Sequence, residues 1–237
     1  MQAANTRPLI VLSVALALMT IPVSRSAAAG ADTRLADAAR SHDVAAVRSL
    51  IAQKADPKVP GDDGTPALHW IVRVDDLETT KLLLQNGADA TQANRYGIRP
   101  LSIAAANGNA AIIAALIEAG ADPNAADPAG ETPLMAAARV GSVEAAKTLL
   151  DRGATVDAAD PAFHQTALIV AVRDNHPDVV QLLLERHANV NAKTRVGVTP
   201  PFILPNSVPG FGHGIGIVRG GSPDRGRRSP RPGGMSP

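Results

Sequence analysis

One stretch of this chain recurs five times in register: LIAQKADPKV, LLLQNGADAT, LIEAGADPNA, LLDRGATVDA and LLERHANVNA. The residue before the shared alanine is Lys54, Gly87, Gly120, Gly153 and His187, which gives spacings of 33, 33, 33 and 34. Nineteen residues upstream of each lies Leu35, Leu68, Leu101, Leu134 or Leu168, and four upstream lies Leu50, Leu83, Leu116, Leu149 or Leu183. A unit this short cannot bury its own apolar face, so copies must stack and share one continuous core. With five aromatic residues in 237 and no cysteine, that core is thin, built from Leu, Ala, Val and Ile, and has no disulfide to staple it.

Each unit divides the same way. A short alanine-rich helix such as PLSIAAANG is followed by a second helix such as AAIIAALIEAG, then by a turn of the GADPNAAD type. Ala104, Ala105, Ala137 and Ala138 are small enough to let first helices of neighbouring units approach closely. Seven residues after the first leucine stand His42, Asp75, Gly108, Gly141 and Asn175. These are residue types that tolerate positive φ, which predicts the same left-handed joint in every unit. The first unit carries Arg34, Asp37, Arg40, Asp43, Arg48, Gln53 and Lys54, the composition of a polar outer cap. The fifth, with LIVAV and VVQLLL, is as apolar as an internal unit.

The period and a second motif resemble the ankyrin-repeat family. Its T-P-L-H-x-A-A signature appears as PALHWIV (66–72), RPLSIAA (99–105), TPLMAAA (132–138) and TALIVAV (166–172). The resemblance covers about residues 32–193, as units 32–60, 61–93, 94–126, 127–159 and 160–193. It implies an all-α solenoid of helix-turn-helix units with hairpin-like fingers. It also implies that another protein is bound through the finger tips and the inner face of the first helices. On that face the position five after the first leucine holds Arg40, Arg73, Ala106, Arg139 and Arg173. Four arginines in a row suit an acidic partner segment, because the guanidinium fork pairs with carboxylates. Alternatively, each pairs with an acid of its own chain. Trp70, three residues before Arg73, is either an anchor for a partner or filler between units. The tips KVPGDDG (58–64), QANRYG (92–97), AADPAG (125–130) and AADPAFHQ (158–165) offer Tyr96, Phe163 and His164 as contacts, and the fourth is one residue longer.

Residues 1–31 read as a different object. Arg7 precedes the apolar run Leu9–Val23, no acid occurs before Asp32, and the small residues SRSAAAGA follow. This is the layout of a secretory leader, with cleavage expected after Ala29 or Ala31. Fifteen apolar residues fall short of the roughly 20 that span a bilayer, so contact with a membrane is expected only through an uncleaved leader. The expectation is an exported protein, periplasmic or secreted, similar to exported bacterial ankyrin-repeat proteins.

Residues 194–237 hold ten glycines and eight prolines. The composition reads as a long irregular segment. TRVGVTP (194–200) opens like a further unit, then Pro201 and FILPNS break the pattern. The closing Met235-Ser236-Pro237 again has the form of a unit's opening. On this reading 195–234 is an insertion in a finger, and the fifth unit awaits a neighbour.

Charge and chemistry narrow the function. Residues 30–205 carry 16 Lys and Arg against 21 Asp and Glu, a net of −5, whereas 206–237 carry five arginines and one acid, a net of +4. A mildly acidic body lacks the basic stripe of a nucleic-acid binder. The six histidines (42, 69, 164, 176, 187 and 213) include no pair at metal-ligand spacing. No nucleophile elbow is present, and GFGHGIGIV (210–218) lacks the lysine of a phosphate loop. The sequence therefore reads as a binding scaffold with no catalytic group, cofactor or metal. Its rivals are the binding portion of a longer exported enzyme and a passive spacer in the cell envelope.

Overall fold

The computed structural model describes residues 32–197 and Thr199. The expected leader and nearly all of the Gly/Pro-rich segment lie outside these residues, as does the reading of 195–234 as an insertion. Among the described residues ten α-helices follow one another in pairs. The first helices of the five pairs are α1 (Arg34–Arg40), α3 (Ala67–Arg73), α5 (Pro100–Asn107), α7 (Pro133–Val140) and α9 (Ala167–Arg173). The second helices are α2 (Val44–Ala52), α4 (Leu77–Gln85), α6 (Ala110–Glu118), α8 (Val143–Asp151) and α10 (Pro177–Glu185). The first helices pack side by side in chain order, and α4, α6, α8 and α10 form a second layer. This is the all-α repeat solenoid expected from the period.

The leucine columns build the core. Leu35, Leu68, Leu101, Leu134 and Leu168 are buried, as are Leu83, Leu116, Leu149 and Leu183. Ala104, Ala105, Ala137 and Ala138 are fully buried between first helices, where a larger side chain would hold the layers apart. The second helices are set by their N-caps. Asp43, Asp76, Asn109 and Ser142 each accept from the N–H three residues on, satisfying a donor the helix leaves free. In α10 Pro177 stands at the helix start and His176 makes no such cap.

All five joints are left-handed, as the residue types predict: φ is 55° at His42, 58° at Asp75, 72° at Gly108, 74° at Gly141 and 60° at Asn175. A second left-handed column runs through Lys54, Gly87, Gly120, Gly153 and His187, and a third through the tips at Gly64, Gly97, Gly130, His164 and Gly197. The fingers are tight hairpins. In the second finger the Asn94 N–H donates to Ile98 O and Gly97 N–H to Asn94 O, both at 2.9 Å. In the fourth finger the extra residue widens the turn, so that His164 N–H donates to Asp160 O four residues back at 3.0 Å. Every charged or polar residue expected in the outer cap, Arg34, Asp37, Arg40, Asp43, Arg48, Gln53 and Lys54, is exposed.

Candidate binding face

The structure divides the arginine row in two. Arg139, at the end of α7, is held by Glu131 at 2.7 Å. Arg173, at the end of α9, is held by Asp174 at 2.8 Å and donates to Gln165 Oε1 at 2.8 Å. Arg40 and Arg73 have no carboxylate within ion-pair distance among the described residues. Both instead approach the same ring: each guanidinium carbon lies 5.7 Å from the centroid of Trp70. The indole is half-buried, packed against the core and within cation–π distance of both guanidinium groups. Trp70 therefore fills space between units and leaves part of its ring exposed.

Where Ala106 interrupts the row, a hollow of about 430 Å³ opens, because the alanine ends at Cβ. It is lined by Ser102, Ile103, Ala106 and Asn107 of α5, with Arg73 on the α3 side and Glu131 and Arg139 on the α7 side. Burial raises the Glu131 carboxyl above its ordinary value of 4.5, and Asp127 pushes the same way, outweighing the pull of Arg139 and Arg173. The hollow is close to balanced in charge, with Arg73 and Arg139 set against Asp127 and Glu131.

The finger-tip candidates fall into two kinds. Tyr96 and Phe163 are 67% and 63% exposed, large aromatic side chains standing out from their finger tips. His164 is also exposed, but it occupies the left-handed tip position that glycine fills in the other fingers, so its backbone role is fixed whatever its ring contacts. Asp160 organises this tip, accepting from the N–H groups of Ala162, Phe163 and Gln165.

The remaining histidines of the described array serve the stack. His69 is buried on α3, its Nε2 3.0 Å from Ile98 O of the next finger. A carbonyl only accepts, so Nε2 carries the proton; Nδ1 has no partner, and burial lowers the pKa below 6.5. His176 Nε2 lies 2.9 Å from Arg139 O, and His42 Nε2 3.6 Å from Asp76 Oδ2, each crossing from one unit to the next. Sequence reasoning missed this seam, to which Ser142 Oγ and Asn107 Nδ2 also contribute by donating to Gly108 O and Val72 O. Among the described residues no three His, Asp or Glu side chains gather as metal ligands would.

Helix pairs, fingers and left-handed joints at a 33-residue period agree with comparison against known families. A family model that describes three successive ankyrin repeats matches twice, over residues 35–127 and 120–194. The chain belongs to the ankyrin-repeat family. No curated protein matches it. Ankyrin repeats are generally protein-protein interaction modules.

Proposed function

We propose that this ankyrin array is a non-catalytic scaffold of the cell envelope, exported by its leader and periplasmic or secreted when mature. It holds a partner protein carrying an acidic segment through the inner face of its first helices and through its finger tips. One observation carries the reading: a half-buried tryptophan lies among exposed arginines on the face that the family uses for binding. Amphipathic aromatics and arginines of this kind dominate the energetics of protein interfaces. The exposed tip residues Tyr96 and Phe163 extend the same surface, and the leader-like residues 1–31 support export.

Site-specific photocross-linking in the cells of origin tests it. A photoreactive side chain at Trp70, Tyr96 or Phe163 should give a discrete adduct in the envelope fraction. The same group at Lys147 or Glu185, exposed on the second-helix layer, should give none. Equal labelling from both layers, or adducts confined to the cytosol, would overturn the reading.

A further inference from the structure

The four arginines look alike in sequence but not in their electrostatic state. Arg139 and Arg173 already have carboxylate partners in their own chain. Among the described residues Arg40 and Arg73 do not, although acids are nearby in sequence: Asp37 accepts from Thr33 Oγ1, and Asp75 from Asn107 Nδ2. Their guanidinium carbons each stand 5.7 Å from one indole centroid, so they lie no more than about 11 Å apart. Two exposed cations held so close, with no counter-charge, repel one another, and a dianionic ligand relieves that repulsion. Proximity to the Trp70 ring restricts both side chains, so less side-chain entropy is lost when an anion arrives.

We propose that acidic recognition is confined to the first two repeats, where Arg40, Trp70 and Arg73 form a site for an extended peptide with carboxylates at alternate positions. In an extended chain residues i and i+2 stand about 6.6–7 Å apart on one side. With the reach of two glutamate side chains, that spacing lets one carboxylate meet each guanidinium across a separation of no more than about 11 Å. The hollow beside Ala106 lies next to Arg73 and, being balanced in charge, takes a neutral side chain of the same segment rather than a further acid. This inference rests on the scaffold reading above and names the chemistry of its partner.

Trp70 is the sole tryptophan of the chain, so its fluorescence reports on the site directly. The probe is a blocked, aromatic-free peptide, acetyl-Gly-Glu-Gly-Glu-Gly-Glu-Gly-amide, titrated into the full chain at low ionic strength. A saturable change in Trp70 emission is expected, lost as salt is added. Arg40→Gln and Arg73→Gln should each weaken binding by at least about tenfold, the loss of a charge-assisted contact. Arg139→Gln and Arg173→Gln should stay within about twofold, because their charges are already neutralised. The lysine analogue of the peptide should not bind. An unsaturable titration, or equal weakening by Arg139→Gln, would overturn the proposal. If the peptide fails while cross-links still form on the inner face, the acidic site is wrong and the scaffold stands. Specific peptide binding without inner-face cross-links would retain the site and remove the scaffold.

Discussion

The second and fourth repeats contain the same elements, tied down to different degrees. In the fourth, Thr132 caps α7 by accepting from the Met135 N–H, Gly141 makes the left-handed joint without strain, and Arg139 is anchored by Glu131. In the second, Pro66 precedes α3 with no side-chain cap, Asp75 makes the joint with a Cβ in place, and Arg73 lies by Trp70 with no carboxylate in ion-pair reach among the described residues. The fourth repeat has resolved its local conflicts internally. The second has left a strained joint and an unpaired charge beside the chain's one tryptophan. Unresolved charge and strain tend to be kept at functional sites, and the acidic-peptide site proposed above draws Trp70 and Arg73 from the repeat that keeps them.

The sharpest way to break this comparison is to put the same residue at both joints. Gly141→Ala places a Cβ at φ 74°, at a cost of about 1–2 kcal/mol. That Cβ also presses into the His176 ring, whose Nε2 is bonded to Arg139 O, adding about 0.5–1.5 kcal/mol for the lost bond. Asp75→Ala adds no Cβ; it loses the Asn107 contact at 2.9 Å and part of the tolerance aspartate has for positive φ, together about 0.5–1.5 kcal/mol. Urea denaturation should therefore rank Gly141→Ala clearly below Asp75→Ala. Equal midpoints would mean that the two joints are not differently strained.

That ranking shows what the sequence carries and what it hides. A positive φ leaves a trace in residue type, so the joint column His42, Asp75, Gly108, Gly141, Asn175 is legible with no structure at all. The second column is less so, because Lys54 is a poor left-handed residue and marks the register without betraying its geometry. Division of the arginine row was present in the sequence but unused. Eight residues before Arg139 and Arg173 stand Glu131 and Gln165, and both reach forward to their arginine. At the same offset from Arg73 stands Thr65, and Asp32, eight before Arg40, is held by Arg34. An offset of eight joins a finger edge to the end of the following helix, a contact that helical periodicity does not reveal. The hollow was hidden for a related reason: Ala106 reads as one more alanine until its neighbours in the row are seen to be long.

A smaller effect separates the repeats by pH. His69 in the second repeat is held below 6.5 by burial, so the unfolded chain takes up a proton that the folded chain refuses. Its contribution to stability is present above 6.5 and is lost as pH falls below that value, by at most about 1.4 kcal/mol per pH unit. Glu131 in the fourth repeat is raised above 4.5 and has the opposite sense. It favours the folded chain below 4.5, and that advantage fades as pH rises through its folded value. His69→Met, which copies the residue at the matching position of the fourth repeat (Met135), should abolish part of the loss between pH 7 and 5.5. Glu131→Gln should flatten the profile only at lower pH. The measurement is the urea midpoint of each variant against the parent across pH 4–7.5, and identical profiles for His69→Met and the parent would refute the assignment.

The smallest effect tests whether Asp75 is retained for its conformation or for its contact. Asp75→Gly removes a Cβ from φ 58° and so regains about 1–2 kcal/mol of left-handed strain, less for aspartate than for most residues because its short polar side chain tolerates this region. The substitution also frees the unfolded chain, which costs roughly 0.5–1 kcal/mol. It breaks the bond from Asn107 Nδ2 to Asp75 Oδ1, although that donor lies within 3.2 Å and 3.3 Å of Val72 O and Arg73 O and so keeps partners. The opposing contributions nearly cancel, and the net change should stay within about 1 kcal/mol of zero. Removing the carboxylate also takes one negative charge from the α3 end of the binding face. Affinity for the glutamate peptide should then rise slightly, by no more than about twofold for an exposed, screened charge. A gain above about 2 kcal/mol would show that the strain at this joint is far larger than the ordinary cost of a left-handed residue. A loss of that size would instead make the Asn107–Asp75 bond the main tie between the second and third repeats.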